Sequence, residues 1–226
     1  MKNHVRRCIF KFIIAFLSLC IFTNCNSVYT SKKTGYFNID LPEHQYKLYD
    51  KPGFPYSFEY PSYAEPVKDS TYFDSTPEND YWVNIDFPQF NARIFLSYKI
   101  IGGKSVYKIK NSAGVYIDSS GINQFDKMVN DAFNLTNKNE AVATSIKDSV
   151  FKTPNNIAGV FFKVGGNAAT ATQFFVSDSV HHFLRGALYF SATPNADSIK
   201  PVQVFLQDDI KHLINTFKWK SVGSRQ

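Results

Sequence analysis

Cysteine is scarce in this chain of 226 residues: there are three, Cys8, Cys20 and Cys25, and none beyond position 25. That excludes a disulfide-stapled scaffold and a multi-cysteine metal centre for the body of the sequence. The apolar stretch from Phe12 to Phe22 is too short for the roughly 20 residues a membrane-spanning helix needs. No Gly-x-Ser-x-Gly elbow and no Ser/His/Asp spacing marks a hydrolase. VGGNAAT (164–170) has glycines but lacks the Lys and following Ser/Thr of a phosphate loop, so it reads as a turn. Glutamates are few, and none pairs with a second carboxylate in an apolar run as glycosidase chemistry requires. The expectation is a protein that is no enzyme and holds neither cofactor nor metal.

What is present starts with Lys2, Arg6, Arg7 and Lys11 ahead of or opening the Phe12–Phe22 stretch, the pattern of a secretory signal. The small-residue cleavage site is missing. The segment instead resembles a bacterial lipoprotein signal, in which the cysteine after the apolar run is acylated and becomes the first residue. Cys25, where the run meets polar Asn26 and Ser27, is the expected lipid site. Cys20, inside the run, is the alternative, and an ordinary signal with incidental cysteines is the plainer one. With residues 1–24 removed and 25–35 read as a tether, the body spans 36–220, followed by a disordered tail at 221–226. Charge moves with the cut: 25 Lys and Arg against 19 Asp and Glu give +6, but four of the bases lie in the first 24 residues, leaving 21 against 19. A net +2 makes nucleic acid a poor partner. No acidic cluster follows Cys25, which favours the periplasmic side of the envelope, at the outer rather than the inner membrane.

With 44% hydrophobic and 16% aromatic residues, the body can fill a sizeable core. Pro42, Pro52, Pro55, Pro61 and Pro66 exclude a long helix early on and favour short or edge strands forming an aromatic lip. DYWVNIDF and RIFLSYKI alternate cleanly and should pair as an antiparallel hairpin across PQFNA. A helix then follows Gly121, with Ile122, Phe125, Met128, Val129, Ala132 and Phe133 as its apolar stripe. Strands are expected at about 142–152, 157–164, 169–177 and 181–191, with turns at 153–156 and 165–167. A closing helix after Pro201 should bury Val202, Phe205, Leu206, Ile210, Leu213, Ile214 and Phe217, with Asp208 and Asp209 facing solvent. Strands outnumber helices and the turns are short, so the fold class is α+β: one domain, an antiparallel sheet packed with two helices.

The adjacent histidines of DSVHHFLRGALYF point to opposite faces of a strand and cannot grip one ion together. Alternation puts His182, Leu184, Gly186, Leu188 and Phe190 toward the core and His181, Phe183, Arg185, Ala187 and Tyr189 on the other face. Arg185 framed by Phe183 and Tyr189 suits a partner carboxylate or a ring, or else pairs with a local Asp. Asp-Ser followed by Thr, Val or Ile recurs at Asp69, Asp74, Asp148, Asp178 and Asp197. Strand-end turns account for such triplets. They also resemble the O-glycosylation signal of exported Bacteroidetes proteins, with Ser70, Ser75, Ser149, Ser179 and Ser198 as acceptors.

Taken together, GYFNIDLPEHQY (35–46), PYSFEYPSYA (55–64), WVNIDFPQFNARIFLSYK (82–99), AATATQFFVSDSVHHFLRGALYF (168–190) and PNADSIKPVQVFLQDDIKHLINTFKW (194–219) resemble the GldD gliding-motility lipoproteins of Bacteroidetes. The resemblance implies a membrane-tethered accessory factor for gliding and type IX protein secretion, working by protein–protein contact with other gliding and secretion proteins, and it supplies no catalytic residue. The closing strand-then-helix pattern is also similar to PsbP-like domains. Trp82, Phe183, Arg185 and Tyr189 are the expected partner contacts. The rival reading is a periplasmic module that binds a small molecule or glycan through the aromatic lip.

Overall fold

The structure, a computed structural model, describes residues 39–68, 77–191 and 196–220. Cys25, the signal and tether, Ser70, Ser75 and the tail lie outside the described residues. Those described belong to a compact unit that begins at Ile39 and carries its own core.

The proline-punctuated segment forms β1 (Tyr46–Tyr49), β2 (Tyr56–Pro61) and β3 (Glu65–Lys68), short strands as proline and aromatic content dictate. The expected hairpin is β4 (Val83–Phe87) and β5 (Ala92–Ile100), with Val83 opposite Leu96 and Phe87 opposite Ala92. Its connection is a single 3-10 turn over Pro88–Phe90, closed by Asn91 in the left-handed region (φ 47°). A second hairpin, β6 (Lys104–Lys110) and β7 (Tyr116–Ile122), stands as a separate two-stranded sheet. Then come α1 (Phe125–Asn137), β8 (Ala143–Lys152), β9 (Ala158–Gly166), β10 (Thr172–Ser177) and β11 (His182–Phe190). The chain closes with α2 (Ala196–Thr216) and β12 (Lys218–Trp219).

The central sheet has the order β3-β4-β5-β11-β10-β9-β8 and its ladders are antiparallel; β1, β2 and β12 form a three-stranded sheet. One face of the central sheet, with Ile85, Ile94, Leu96, Leu184 and Leu188, joins α2 and the aromatics of β2 in the main core. There Leu206, Ile210, Leu213 and Phe217 are buried as their spacing predicts, each contributing about 1.5–3 kcal/mol. The opposite face is covered by α1 over Val160, Phe162, Phe175 and Phe183.

Three expectations change. Ile122 ends β7, 65% exposed, instead of opening the helical stripe, because the ladder from Lys104 carries pairing that far. The closing helix begins at Ala196, so Pro201 lies inside it. Pro201 stands in the second turn and forgoes the bond a backbone N–H would make to the Asp197 carbonyl, and Ile199 before it packs against the core. Asp209 is buried, not solvent-facing, while its neighbour Asp208 is exposed.

Candidate functional site

Period-two alternation sets a band of side chains across β4, β5, β11 and β10 on the α1 side of the sheet. Register aligns Asp86 with Arg93, Asn84 with Phe95, Arg185 with Ser97 and Tyr189 with Arg93. Near α1 the band forms a cleft of about 170 Å³ bounded by Trp82, Phe95, Lys99, Met128, Phe183 and Arg185. Trp82 is fixed by its indole N–H, which donates to the Tyr98 carbonyl at 2.8 Å. Lys99 reaches Glu78 at 2.7 Å. The guanidinium of Arg185 donates to Oε1 of Gln173, and Asp131 of α1 lines the same cleft. Gln173 is itself held by Thr170, its Nε2 donating to Oγ1 at 3.1 Å.

Three of the expected contact residues, Trp82, Phe183 and Arg185, therefore meet at one cleft. Phe183 differs in character from the expectation: at 3% exposure it lies beneath α1, against Phe125 and Phe175, because that helix covers its end of the strand. Tyr189 lines an adjoining open groove of about 450 Å³ with Asp86, Arg93 and Phe95. Phe95 is common to both: Tyr189 meets its ring edge-on at 6.3 Å between centroids, and the Arg93 guanidinium sits 5.6 Å from its centre. Arg93 and Asp86 form the two-pronged pair that planar guanidinium geometry favours, at 2.5 and 2.6 Å. Asn84, 3% exposed on the same band, has a side-chain oxygen with no hydrogen-bond partner among the described residues. Ring faces and paired cations thus line the band side by side.

The His pair separates, but because His181 lies in the turn before β11 and only His182 enters the strand, not through alternation along one strand as expected. His181 is exposed, whereas the Nδ1 of His182 lies 2.6 Å from the Tyr98 hydroxyl and its ring stacks on Trp219. Asp178 anchors the preceding turn through backbone N–H bonds from Val180, His181 and His182. Among the glycosylation candidates, Ser149, Ser179 and Ser198 are exposed.

A second constellation was missed at the sequence level. Buried Asp209 on α2 accepts from the Tyr63 hydroxyl, from the Tyr46 hydroxyl at 3.1 Å and faces Nδ1 of His44 at 2.7 Å. Beside it the Tyr46 ring stacks 3.5 Å from that of His212, which lies 2.6 Å from Glu59. Burial first, then the Asp209 charge and hydrogen bond, push the Tyr46 phenol up to about 12. The available signal was spacing: Asp209 falls three residues after Leu206 and four before Leu213, on the apolar stripe, whereas Asp208 does not. Among the described residues, no three His, Cys, Asp or Glu side chains are grouped to hold a metal ion, and no helix is long and apolar enough to cross a membrane.

A family model described as gliding motility lipoprotein GldD matches residues 26–219. The chain belongs to the GldD family. Membership makes it a lipoprotein of the cell envelope connected with gliding motility. Comparison with curated proteins gives no match. Among solved structures, the chain is similar to the solution structure of cyanobacterial PsbP (CyanoP) from Synechocystis sp. PCC 6803, with a TM-score of 0.40 and 11% identity over 83% of this chain and 99% of that one. Within the GldD family match lie the cleft and the Asp209 cluster alike.

Proposed function

We propose that this GldD-family protein is an accessory factor of the gliding and type IX secretion machinery, anchored by an acyl chain on Cys25, facing the periplasm from the outer membrane and acting by contact alone, without catalysis. The supporting observation is the convergence of Trp82, Phe183 and Arg185 on one cleft beside the Phe95–Tyr189 groove. Aromatic and arginine side chains in a partly enclosed setting are the groups that dominate protein interfaces. Tethering adds effective concentration, so a weak contact at this band suffices near the membrane.

The test is a photo-crosslinking side chain at Phe95 in living cells, followed by mass spectrometry of the adducts. A secretion or gliding component should be captured, and Arg185→Ala with Tyr189→Ala should reduce both the adduct and cell movement. Unimpaired gliding and secretion in the double variant, with no adduct, would overturn the reading. Labelled palmitate should enter the wild type and not Cys25→Ala; label persisting in that variant moves the lipid to Cys20. Exposed Ser149, Ser179 and Ser198 are the proposed glycan acceptors, which glycopeptide mass spectrometry checks.

A second reading rests on the open groove, where the Phe95 and Tyr189 rings flank the Arg93–Asp86 pair. Rings beside planar polar groups suit a sugar, and a saturable thermal shift with oligosaccharides, lost in Tyr189→Ala, would favour it. The cleft beside α1 is smaller than the roughly 300 Å³ at which small-molecule sites begin.

A further inference from the structure

The β6–β7 hairpin pairs seven residues of each strand, from Lys104 opposite Ile122 to Lys110 opposite Tyr116, and no third strand joins it among the described residues. An isolated two-stranded ribbon is marginal in water, and this one carries large apolar side chains in the open. Alternation sets Tyr107, Ile109 and Ile117 on one face, and Val106, Tyr116 and Ile122 on the other. Tyr116 is 63% exposed and Val115, next to the turn, 57%. A flat protein partner covers one face of a ribbon and leaves its reverse in water. A lipid headgroup layer surrounds both faces of a ribbon that enters it tip first.

Charge points the same way. The hairpin holds Lys104, Lys108 and Lys110 against the single acid Asp118, and no acid lies between Lys104 and Ile117. The three lysines share one face with Tyr116, and the Lys110 ammonium sits 5.1 Å from the centre of that ring. Tyrosine with lysine is the pairing that settles at a headgroup boundary, ring toward the apolar side and ammonium toward phosphate. The turn at the tip is also internally satisfied. Asn111 Oδ1 accepts from the N–H groups of Ala113 at 3.0 Å and Val115 at 2.9 Å, and the Gly114 N–H reaches the Asn111 carbonyl at 2.9 Å. The outer edges of the ribbon set the depth limit, since unpaired backbone groups are too costly in hydrocarbon. Entry stops roughly 5–10 Å into the headgroup and acyl boundary.

We propose that the β6–β7 hairpin docks tip first on an anionic phospholipid surface, giving the lipoprotein a second, reversible membrane contact separate from its acyl chain. This needs the membrane nearby, as for any lipoprotein, but not acylation of Cys25 in particular. The chain from Asn26 onward keeps the compact unit and has no cysteine, so Ala113→Cys gives one site for an environment-sensitive fluorophore. With phosphatidylglycerol-containing vesicles the label should shift to the blue and be quenched more by headgroup-level than by mid-chain nitroxide lipids. A Ser149→Cys label on β8 should not respond. Replacing Lys108 and Lys110, the lysines nearest the tip, with Gln should weaken partitioning on the order of thirtyfold, with an unchanged circular dichroism spectrum, whereas Lys104→Gln at the base of the ribbon should matter less. A water-like label on these vesicles, or binding indifferent to the lysine substitutions, overturns the proposal. So does a label that stays in water on vesicles yet is shielded in living cells, which would assign the hairpin to a protein partner. Because Cys25 is absent from the tested chain, its failure is distinct from failure of the acyl anchor.

Discussion

The hydroxyl of Tyr63 donates to the carboxylate of Asp209 across 146 residues of sequence, fastening the proline-punctuated strands to the last helix. His44 and Tyr46 converge on the same carboxylate, whose side chain is fully enclosed.

Removing that acceptor leaves three donors without their shared partner. Asp209→Ala should therefore cost about 3 kcal/mol, read as a lower urea midpoint at unchanged slope. Asp208→Ala, one position away and exposed beside Lys211, should stay within about 0.5 kcal/mol. Equal losses in the two variants would contradict the role given to the buried carboxylate.

Alkaline stability follows from the phenols. Burial, with help from Asp209, raises Tyr46 to about 12 and Tyr63 higher still; burial raises Tyr49 to about 12. An unfolded phenol titrates near 10, so the folded state holds these protons more tightly. Their contribution is complete below pH 10 and is lost as pH rises through the folded values. Denaturant unfolding from pH 9 to 12 should show the decline, and Tyr46→Phe should make it shallower.

At acid pH the sign reverses. Burial holds His182 below its ordinary 6.5, the opposing pull of Asp178 notwithstanding. Its contribution is present above about 6.5 and is lost as pH falls through the depressed value. Proton NMR of the imidazole should place the His182 midpoint below 6.5, and a midpoint at or above that value would refute the packing on Tyr98 and Trp219.

Gly186 is required by closeness. A Cβ there would come 2.2 Å from the Phe174 ring, which is 1% exposed. Gly186→Ala should cost roughly 1–3 kcal/mol through overpacking, whereas the same change at Gly121 meets only the Tyr107 ring at 3.5 Å and should be mild. Thermal melts of both variants separate the two cases.

The sequence carried the architecture well where period decided it. Val83, Ile85 and Phe87, with Ile94, Leu96 and Tyr98, declared β4 and β5 by alternation, and the spacing of Leu206, Ile210 and Leu213 declared α2. The closing helix starts earlier than proline content suggests, at Ala196, with Pro201 accommodated in its second turn. The β6–β7 hairpin was hidden because its apolar residues face both ways, so neither period dominates. At the band, alternation set Phe183 and Arg185 on one face of β11 and Trp82 on one face of its own segment, yet could not say that these faces would meet or that α1 would lie over Phe183. The Asp209 cluster was least readable: its members come from positions 44 to 63 and 209 to 212, and only tertiary contact joins them.

The centre of the large sheet is the joint between β5 and β11, strands that leave the ribosome some 80 positions apart. Neither half can close the sheet until Phe190 has been made, and the core is sealed only by the residues of α2. An emerging chain of this design stays open to the end of synthesis, the condition in which a polypeptide can be threaded through a secretory channel. Removing α2 would uncover the apolar face it packs against, so a chain truncated before it should be cut by protease far faster than the intact one.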